Sequence, residues 1–129
     1  MILVDTSVWI ELLRSGQRTN ITEEHLFNFV TCGPVLQEVL QGLRQTPASN
    51  AFRLALLALP VISNPLPRSL FIEAAEIYRT GRAKGHTIRS SVDCLIAAIA
   101  IENHVPVWHR HRDFDAIAKF TSLCIFQPR

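Results

Sequence analysis

Short apolar runs alternate with longer amphipathic stretches along the chain, and turn-forming residues separate them. The apolar runs predict strands over residues 2–4, 61–63, 105–108 and 123–126. The amphipathic stretches predict helices over residues 8–13, 22–29, 34–42, 51–59, 68–84 and 113–120. Residues 92–102 are apolar almost all round, which predicts a buried helix. Strands that alternate with helices are typical of a parallel sheet covered on both faces. We therefore predict an α/β fold, with residues 1–129 forming a single domain.

Four acidic residues stand where hydrophobic runs give way to helices, or on helices with little polar surface: Asp5, Glu38, Asp93 and Asp113. In a doubly wound α/β fold the carboxyl ends of the strands meet at one edge, where ligands bind. Carboxylates gathered there repel one another unless a cation lies between them. A hard divalent cation prefers such oxygen ligands. The pattern predicts a Mg²⁺ site, with Mn²⁺ as an alternative, suited to hydrolysis of phosphodiesters.

Each acid also has a simpler structural explanation. Asp5 and Asp113 could cap the helices that follow them. Asp93 stands three residues after Ser90, which is the spacing of a capping box, and Glu38 could be a solvated helix residue. The joint pattern favours a pocket, because three of the acids lie in apolar surroundings where a lone buried carboxylate is costly. Thr6 or Ser7 could add a hydroxyl that orients a water molecule.

The bulk composition limits the function classes. Of the 129 residues, 48% are hydrophobic and 19% charged, which provides a core and excludes a disordered chain. The net charge of +2 is too small to indicate nucleic-acid binding by itself. Local clusters must supply the cations that RNA requires. The candidates flank the Asp93 helix and the Asp113 turn: Arg82, Lys84, Arg89, Arg110 and Arg112.

The cysteines and the remaining apolar residues predict the cellular compartment of the protein, its core and a surface for partners. Cys32, Cys94 and Cys124 are widely spaced, so we expect buried free thiols and a reducing cytoplasm. The chain starts with a strand-like run, and we expect neither a signal peptide nor a membrane span. Trp9 and Trp108 are expected in the core. The surplus apolar residues predict a surface for a partner helix or for self-association: Leu12, Leu13, Phe27, Phe29 and residues 55–59.

Four segments resemble the motifs of PIN-domain ribonucleases, most closely the VapC toxins of prokaryotic toxin–antitoxin pairs. They are LVDTSVWI at residues 3–10, EVLQG at 38–42, SVDCLIAA at 91–98 and RDFDAIA at 112–118. The resemblance implies an α/β/α sandwich with a short, mainly parallel sheet. It also implies a metal-dependent endoribonuclease in which Asp5, Glu38, Asp93 and Asp113 bind the metal. A homodimer and a cognate VapB-like antitoxin are further implications.

One position departs from the family pattern. Many relatives carry an additional acid two residues before the Asp-Phe pair, where this chain has His111. The fourth acid is therefore Asp113, with Asp115 in reserve, and His111 is interpreted as an ordinary surface histidine. The departure leaves a second hypothesis open, a catalytically silent module that binds RNA or a protein. A phospho-acceptor signalling domain is a third, but only one acid follows the first strand.

Overall fold

The computed structural model describes residues 1–15 and 23–128. Within them, seven helices and three strands follow one another along the chain. The strands are β1 (Ile2–Val4), β2 (Phe29–Val30) and β3 (Val107–Trp108). The helices are α1 (Thr6–Ser15), α2 (Glu23–Asn28), α3 (Gly33–Gln41), α4 (Pro47–Leu57), α5 (Arg68–Ala83), α6 (Ser91–Glu102) and α7 (Arg112–Ala118). The α/β class predicted from the sequence is confirmed. Residue 22, the first of the helix predicted over residues 22–29, lies outside the described residues.

The sheet is short and parallel, with the strand order β2-β1-β3. Ile2 pairs with Phe29, and Leu3 pairs with both Val30 and Val107. Isolated parallel bridges from Thr31 to Val61 and from Val107 to Ile125 extend the sheet at both sides. Because all strands run in the same direction, the residues after β1 and β3 meet at one edge. There the backbone N–H of Asp5 donates to the carbonyl of Trp108, at 2.9 Å.

Helices cover the sheet on both faces, and the fold is an α/β/α sandwich as the sequence predicts. The β1 residues Leu3 and Val4 are fully buried, as is Val107 of β3. Helix α6 is buried along most of its length, since Ile96 to Ala100 are all in the core. It packs closely against α5 and also contacts α3 and α7. The apolar character of this helix therefore reflects burial, as predicted. No helix among the described residues is long and apolar enough to cross a membrane.

An aromatic cluster explains why the helix predicted over residues 22–29 ends early. Phe29 is buried and packs edge-on against Trp9, with ring centroids 5.9 Å apart. It also packs against Trp108 in a tilted arrangement, with centroids 5.8 Å apart. Pairing of Phe29 with Ile2 of β1 makes it a strand residue rather than a helical one. Tertiary packing thus overrides local propensity here. Phe29 belongs to the core with both tryptophans, so its assignment to an exposed partner surface was wrong.

Other boundaries also differ from the prediction. The strand predicted over residues 61–63 is reduced to the single bridge at Val61, because Ser63 adopts a left-handed backbone conformation with a φ of 52° that ends the extended segment. The strand predicted over residues 123–126 consists of one bridge at Ile125. Cys124 is exposed, which corrects the expectation of three buried thiols, whereas Cys32 and Cys94 are buried.

Candidate metal centre

Asp5 lies between β1 and α1 at the sheet edge and is buried. Its Oδ2 accepts hydrogen bonds from the backbone N–H of Ser7, at 3.1 Å, and from the Ser7 hydroxyl, at 2.5 Å. Asp5 therefore caps α1, as the simpler explanation predicted. The cap accounts for only one of its oxygens. Among the residues that the structure describes, Oδ1 has no hydrogen-bond partner.

Asp93 lies in the first turn of α6, where the Ser90 hydroxyl accepts a hydrogen bond from its backbone N–H, at 3.3 Å. Its carboxylate is buried and points toward His111, with 2.6 Å between Oδ2 and Nδ1. Burial, and to a smaller extent the negative charges of Asp5 and Asp113, raise the pKa of Asp93 to about 7, and His111 opposes the rise. The centre therefore holds more negative charge than its one histidine balances.

Asp113 does not cap its own helix α7. Its Oδ2 accepts hydrogen bonds from the backbone N–H groups of Arg89 and Ser90, both at 3.0 Å, so it stabilises the turn that precedes α6. The residue is 1% exposed. Within residues 1–15 and 23–128, its Oδ1 finds no hydrogen-bond partner. A buried carboxylate oxygen without a donor is costly unless a cation is bound beside it.

Glu38 is the outlying acid of the predicted four. It lies half-buried on α3 and reaches the sheet edge through Thr6, whose hydroxyl donates to Oε1 at 3.0 Å. The charges of both Glu38 and Asp5 act on the thiol of Cys32 at the start of α3; its pKa is raised to about 12, mainly by burial and also by these charges. Glu38 therefore borders the centre. The hydroxyls of Thr6 and Ser7 both serve to orient acids.

His111 is not the ordinary surface histidine that the sequence interpretation favoured. Its side chain is 42% exposed, but Nδ1 lies 2.6 Å from Asp93 and 3.7 Å from Oδ2 of Asp113. The ligand atoms of Asp93, His111 and Asp113 all lie within 4.8 Å of one another. The only sequence signal for this placement was that His111 stands where the motif resemblance led us to expect an acid.

Asp115, the reserve for the fourth acid, faces away from this group. Its side chain is 61% exposed, and its Oδ1 lies 3.2 Å from Nε2 of His109. Asp113 rather than Asp115 thus contributes to the cluster. The group of two buried carboxylates and one imidazole, with Asp5 beside it, can hold a metal ion, and the two orphaned oxygens fit such an ion chemically.

Two arginines border the acids through their backbones. Arg89 donates its N–H to Asp113, and Arg110 donates its N–H to the Ser7 hydroxyl, at 2.9 Å. The Arg110 guanidinium is paired with Glu11, at 2.9 Å between Nε and Oε2. A pocket of about 380 Å³ opens beside Arg89 and is lined also by Tyr78, Arg82 and His86. These contacts place the backbones of Arg89 and Arg110 beside the acids. A basic rim around the acidic centre, formed by Arg82, Lys84, Arg89, Arg110 and Arg112, stays a prediction.

The geometry of strand-end acids on a parallel sheet agrees with a comparison to protein families. The family model of the PIN domain matches residues 2–120. The chain belongs to the PIN-domain family. It is 36% identical over 129 residues to the VapC ribonuclease Mb1587 of Mycobacterium bovis and to the ribonuclease VapC11 of Mycobacterium tuberculosis, covering 95% of this chain and 96% of each relative.

Solved structures show the same PIN fold at lower identity. FitAcB from Neisseria gonorrhoeae superposes with a TM-score of 0.70 at 20% identity, covering 99% of this chain and 98% of that chain. VapBC-1 from nontypeable Haemophilus influenzae has a TM-score of 0.70 at 17% identity and covers 98% of both chains. At these identities the likeness establishes the fold alone. The resemblance stated from the four sequence motifs is confirmed by the family match.

Proposed function

We propose that this PIN-domain protein is the toxin component of a type II toxin–antitoxin system and a metal-dependent endoribonuclease. Residues 1–129 act as a single nuclease domain. The observation that carries the proposal is the cluster of buried carboxylates with orphaned oxygens at the carboxyl ends of the strands. The names of the relatives that are 36% identical, all VapC ribonucleases, support the same activity.

The catalytic acids are Asp5, Glu38, Asp93 and Asp113, and all four contribute to metal binding. Asp93 and Asp113 lie closest together, and Asp5 is fixed beside them by Ser7. Thr6 holds Glu38 toward the same edge. A bound divalent cation, Mg²⁺ or Mn²⁺, would supply positive charge at the scissile phosphate and would lower the pKa of a water molecule. The protein contributes a preorganised set of ligands on rigid elements.

The RNA strand lies along the basic rim. Arg89 and Arg110 border the acids on two sides through their backbone contacts. The pocket beside Arg89 brings Arg82 and Tyr78 to one surface, where the Arg82 guanidinium lies 5.8 Å from the Tyr78 ring centroid. Cations attract the RNA backbone, and an aromatic face can stack on a base. The exposed side chains of Lys84 and Arg112 extend the rim.

The partners of the proposed toxin are a cognate VapB-like antitoxin and a second copy of the chain. Several large apolar side chains are exposed, among them Ile10 and Leu13 of α1 and Phe27, which is 88% exposed. A groove of about 560 Å³ runs from Ile10 and Leu13 to Glu38. An antitoxin segment in this groove would reach the acidic centre. All three cysteines are free, which suits the reducing cytoplasm where RNA and antitoxin are found.

The test of the proposal is cleavage of RNA by the purified chain with Mg²⁺, with Mn²⁺ or with a chelator. We expect new RNA ends only when a divalent ion is present. Asp5→Asn should abolish cleavage while the circular dichroism spectrum and the hydrogen bond from the Ser7 N–H are retained. Metal-independent cleavage would contradict the proposal. RNA or partner binding without cleavage of any RNA would favour the catalytically silent module, which the His111 departure makes the second candidate.

A further inference from the structure

His111 differs from every other ligand candidate at the sheet edge because it offers nitrogen instead of oxygen. Its Nδ1 faces two buried carboxylates, Asp93 at 2.6 Å and Asp113 at 3.7 Å. Nδ1 is therefore oriented into the group, although the ring as a whole is half-exposed.

We propose that His111 is a direct metal ligand through Nδ1, and that this ligand makes the centre select first-row transition-metal ions over Mg²⁺. The proposal rests on the proposed metal-dependent nuclease and specifies which ion that site takes. The group Asp93, His111 and Asp113 provides three ligand atoms within 4.8 Å of one another. Two ligand atoms of one ion with bonds of about 2.1 Å are at most about 4.2 Å apart, so these side chains would have to move slightly closer together to hold one ion.

Selectivity follows from the donor atom. Carboxylate and water oxygens suit Mg²⁺, whereas imidazole nitrogen strengthens the binding of transition-metal ions in the order Mn²⁺, Fe²⁺, Co²⁺. Mg²⁺ is a hard ion that demands oxygen ligands and retains its waters. Exchanging one carboxylate for a neutral imidazole also lowers the total negative charge of the ligand set. Both effects reduce the affinity for Mg²⁺ relative to Co²⁺.

A different role for His111 would be that of a counterion, a protonated imidazole that neutralises Asp93 in place of a metal. The carboxylate oxygens without hydrogen-bond partners indicate that a histidine counterion alone does not neutralise the centre. Oδ1 of Asp113 and Oδ1 of Asp5 are buried and have no hydrogen-bond partner among the described residues, although His111 is present. One histidine leaves these atoms uncompensated, so the centre retains the capacity for an added cation.

The decisive experiment uses Mn²⁺ as a paramagnetic probe and detects its ligands by pulsed electron paramagnetic resonance. The intact protein with bound Mn²⁺ should show the hyperfine coupling of a directly bound nitrogen. Labelling the histidines with ¹⁵N should change that coupling to the pattern of the other isotope, a result that requires no variant. Bound Mn²⁺ without any nitrogen coupling would overturn the proposal.

Variants of His111 test whether this residue supplies the bound nitrogen and whether it determines the metal selectivity. His111→Ala should remove the coupling and weaken Co²⁺ binding at least about tenfold in calorimetry, since loss of even an outer-shell partner costs ten- to hundredfold. His111→Asp should bind Mg²⁺ more tightly and reduce the ratio of Co²⁺ to Mg²⁺ affinity about tenfold or more. His104→Asn is the matched control. It lies beyond the far end of α6, and asparagine tolerates its left-handed φ of 54°.

The outcomes separate this inference from the proposed function. If His111→Ala leaves the affinities for Co²⁺ and Mn²⁺ unchanged or raises them while RNA is still cleaved, His111 is a counterion and only the present inference fails. A coupling that persists in His111→Ala likewise overturns it. If the intact protein binds none of the three ions and yet cleaves RNA, the metal-dependent function itself is wrong.

Discussion

Two histidine–aspartate pairs arise from one short segment after β3, and they are built in opposite ways. In the first, the buried carboxylate of Asp93 meets the half-exposed His111 at 2.6 Å. In the second, His109 is buried, with its side chain 6% exposed, and it meets the exposed Asp115 at 3.2 Å. The two histidines are only two residues apart, yet the buried partner is the aspartate in the first pair and the histidine in the second.

The two pairs also differ in how completely the polar atoms around the buried residue are hydrogen-bonded. His109 is satisfied on both sides, because Nδ1 accepts a hydrogen bond from the backbone N–H of His111, at 3.0 Å, and its ring packs on Phe114 with centroids 5.1 Å apart. Asp115 remains open to water. Around Asp93, in contrast, further acids are buried, and Oδ1 of Asp5 and Oδ1 of Asp113 lack a donor among the described residues. Burial of His109 therefore stabilises a turn, whereas burial of Asp93 leaves negative charge that a bound cation would neutralise.

The largest expected effect comes from exchanging one aspartate of α7 at a time for asparagine. Asp113→Asn should lower the rate of RNA cleavage at least about a hundredfold, as for the loss of one preorganised electrostatic group. The asparagine oxygen can still accept from Arg89 and Ser90, so the fold should persist. Asp115→Asn should change the rate less than about threefold, because surface pairs contribute little. Single-turnover rates measure both.

Equal losses in the two variants would remove the distinction between the pairs. A larger loss in Asp115→Asn than in Asp113→Asn would reverse it and would return Asp115 to the position of fourth acid. Melting curves in chelator show whether either variant has lost its fold.

A smaller effect is expected for Ser7→Ala. The Ser7 hydroxyl donates to Asp5 and accepts from the N–H of Arg110, so it connects the first acid to the segment that carries both histidines. Its loss should reduce cleavage about tenfold, in line with other groups that orient metal ligands. Thr121→Ala is the control, since its hydroxyl bonds to the Ile117 carbonyl and the Leu123 N–H, away from the acids. Comparable losses in both variants would indicate general destabilisation instead.

The sequence was sufficient to predict the placement of the acids, but not the roles of the residues around them. Asp5 follows a continuous apolar strand and Asp93 opens a buried helix, so local pattern alone placed both at the sheet edge. The direction of His111 depends on how the segment after β3 crosses the start of α6, which is a tertiary feature. The local pattern likewise predicts that Phe29 is helical, and only its contacts with Trp9 and Trp108 show why it is not.

Asparagine at position 93 should also change how stability depends on pH in the metal-free protein. Folding raises the pKa of Asp93 from 3.8 to about 7, so its ionisation weakens the fold as pH rises between these values. Burial lowers the pKa of His109 from 6.5 and acts in the opposite sense, with stability lost as pH falls below that value. Both the parent protein and Asp93→Asn contain His109, so this contribution cancels when the two are compared.

Melting temperatures in chelator should therefore show Asp93→Asn gaining relative to the parent protein as pH rises from about 4 to about 7, by several degrees. Saturating Mn²⁺ should stabilise the parent protein more than the variant at pH 8. A difference that is constant across this range would show that the Asp93 carboxyl is not buried among like charges.

The smallest effect concerns the thiols. Cys32 borders the acids, and burial together with the charges of Asp5 and Glu38 raises its pKa to about 12, whereas Cys124 is exposed on the opposite side of β3 from β1. An aromatic disulfide reagent at pH 8 should modify one thiol rapidly, and Cys124→Ser should remove that phase. The other two thiols should react only on unfolding. Rapid labelling of Cys32, identified by mass spectrometry, would show that the acidic centre is open and hydrated.

The central claim, that buried acids converge on a divalent cation, is tested most directly by diffraction from crystals soaked in Mn²⁺. Data recorded at the manganese absorption edge should give an anomalous peak bounded by Asp93, Asp113 and His111, close to Asp5. An anomalous map without a peak at this position, from crystals in which the three side chains keep their present arrangement and Mn²⁺ is saturating, would contradict the account.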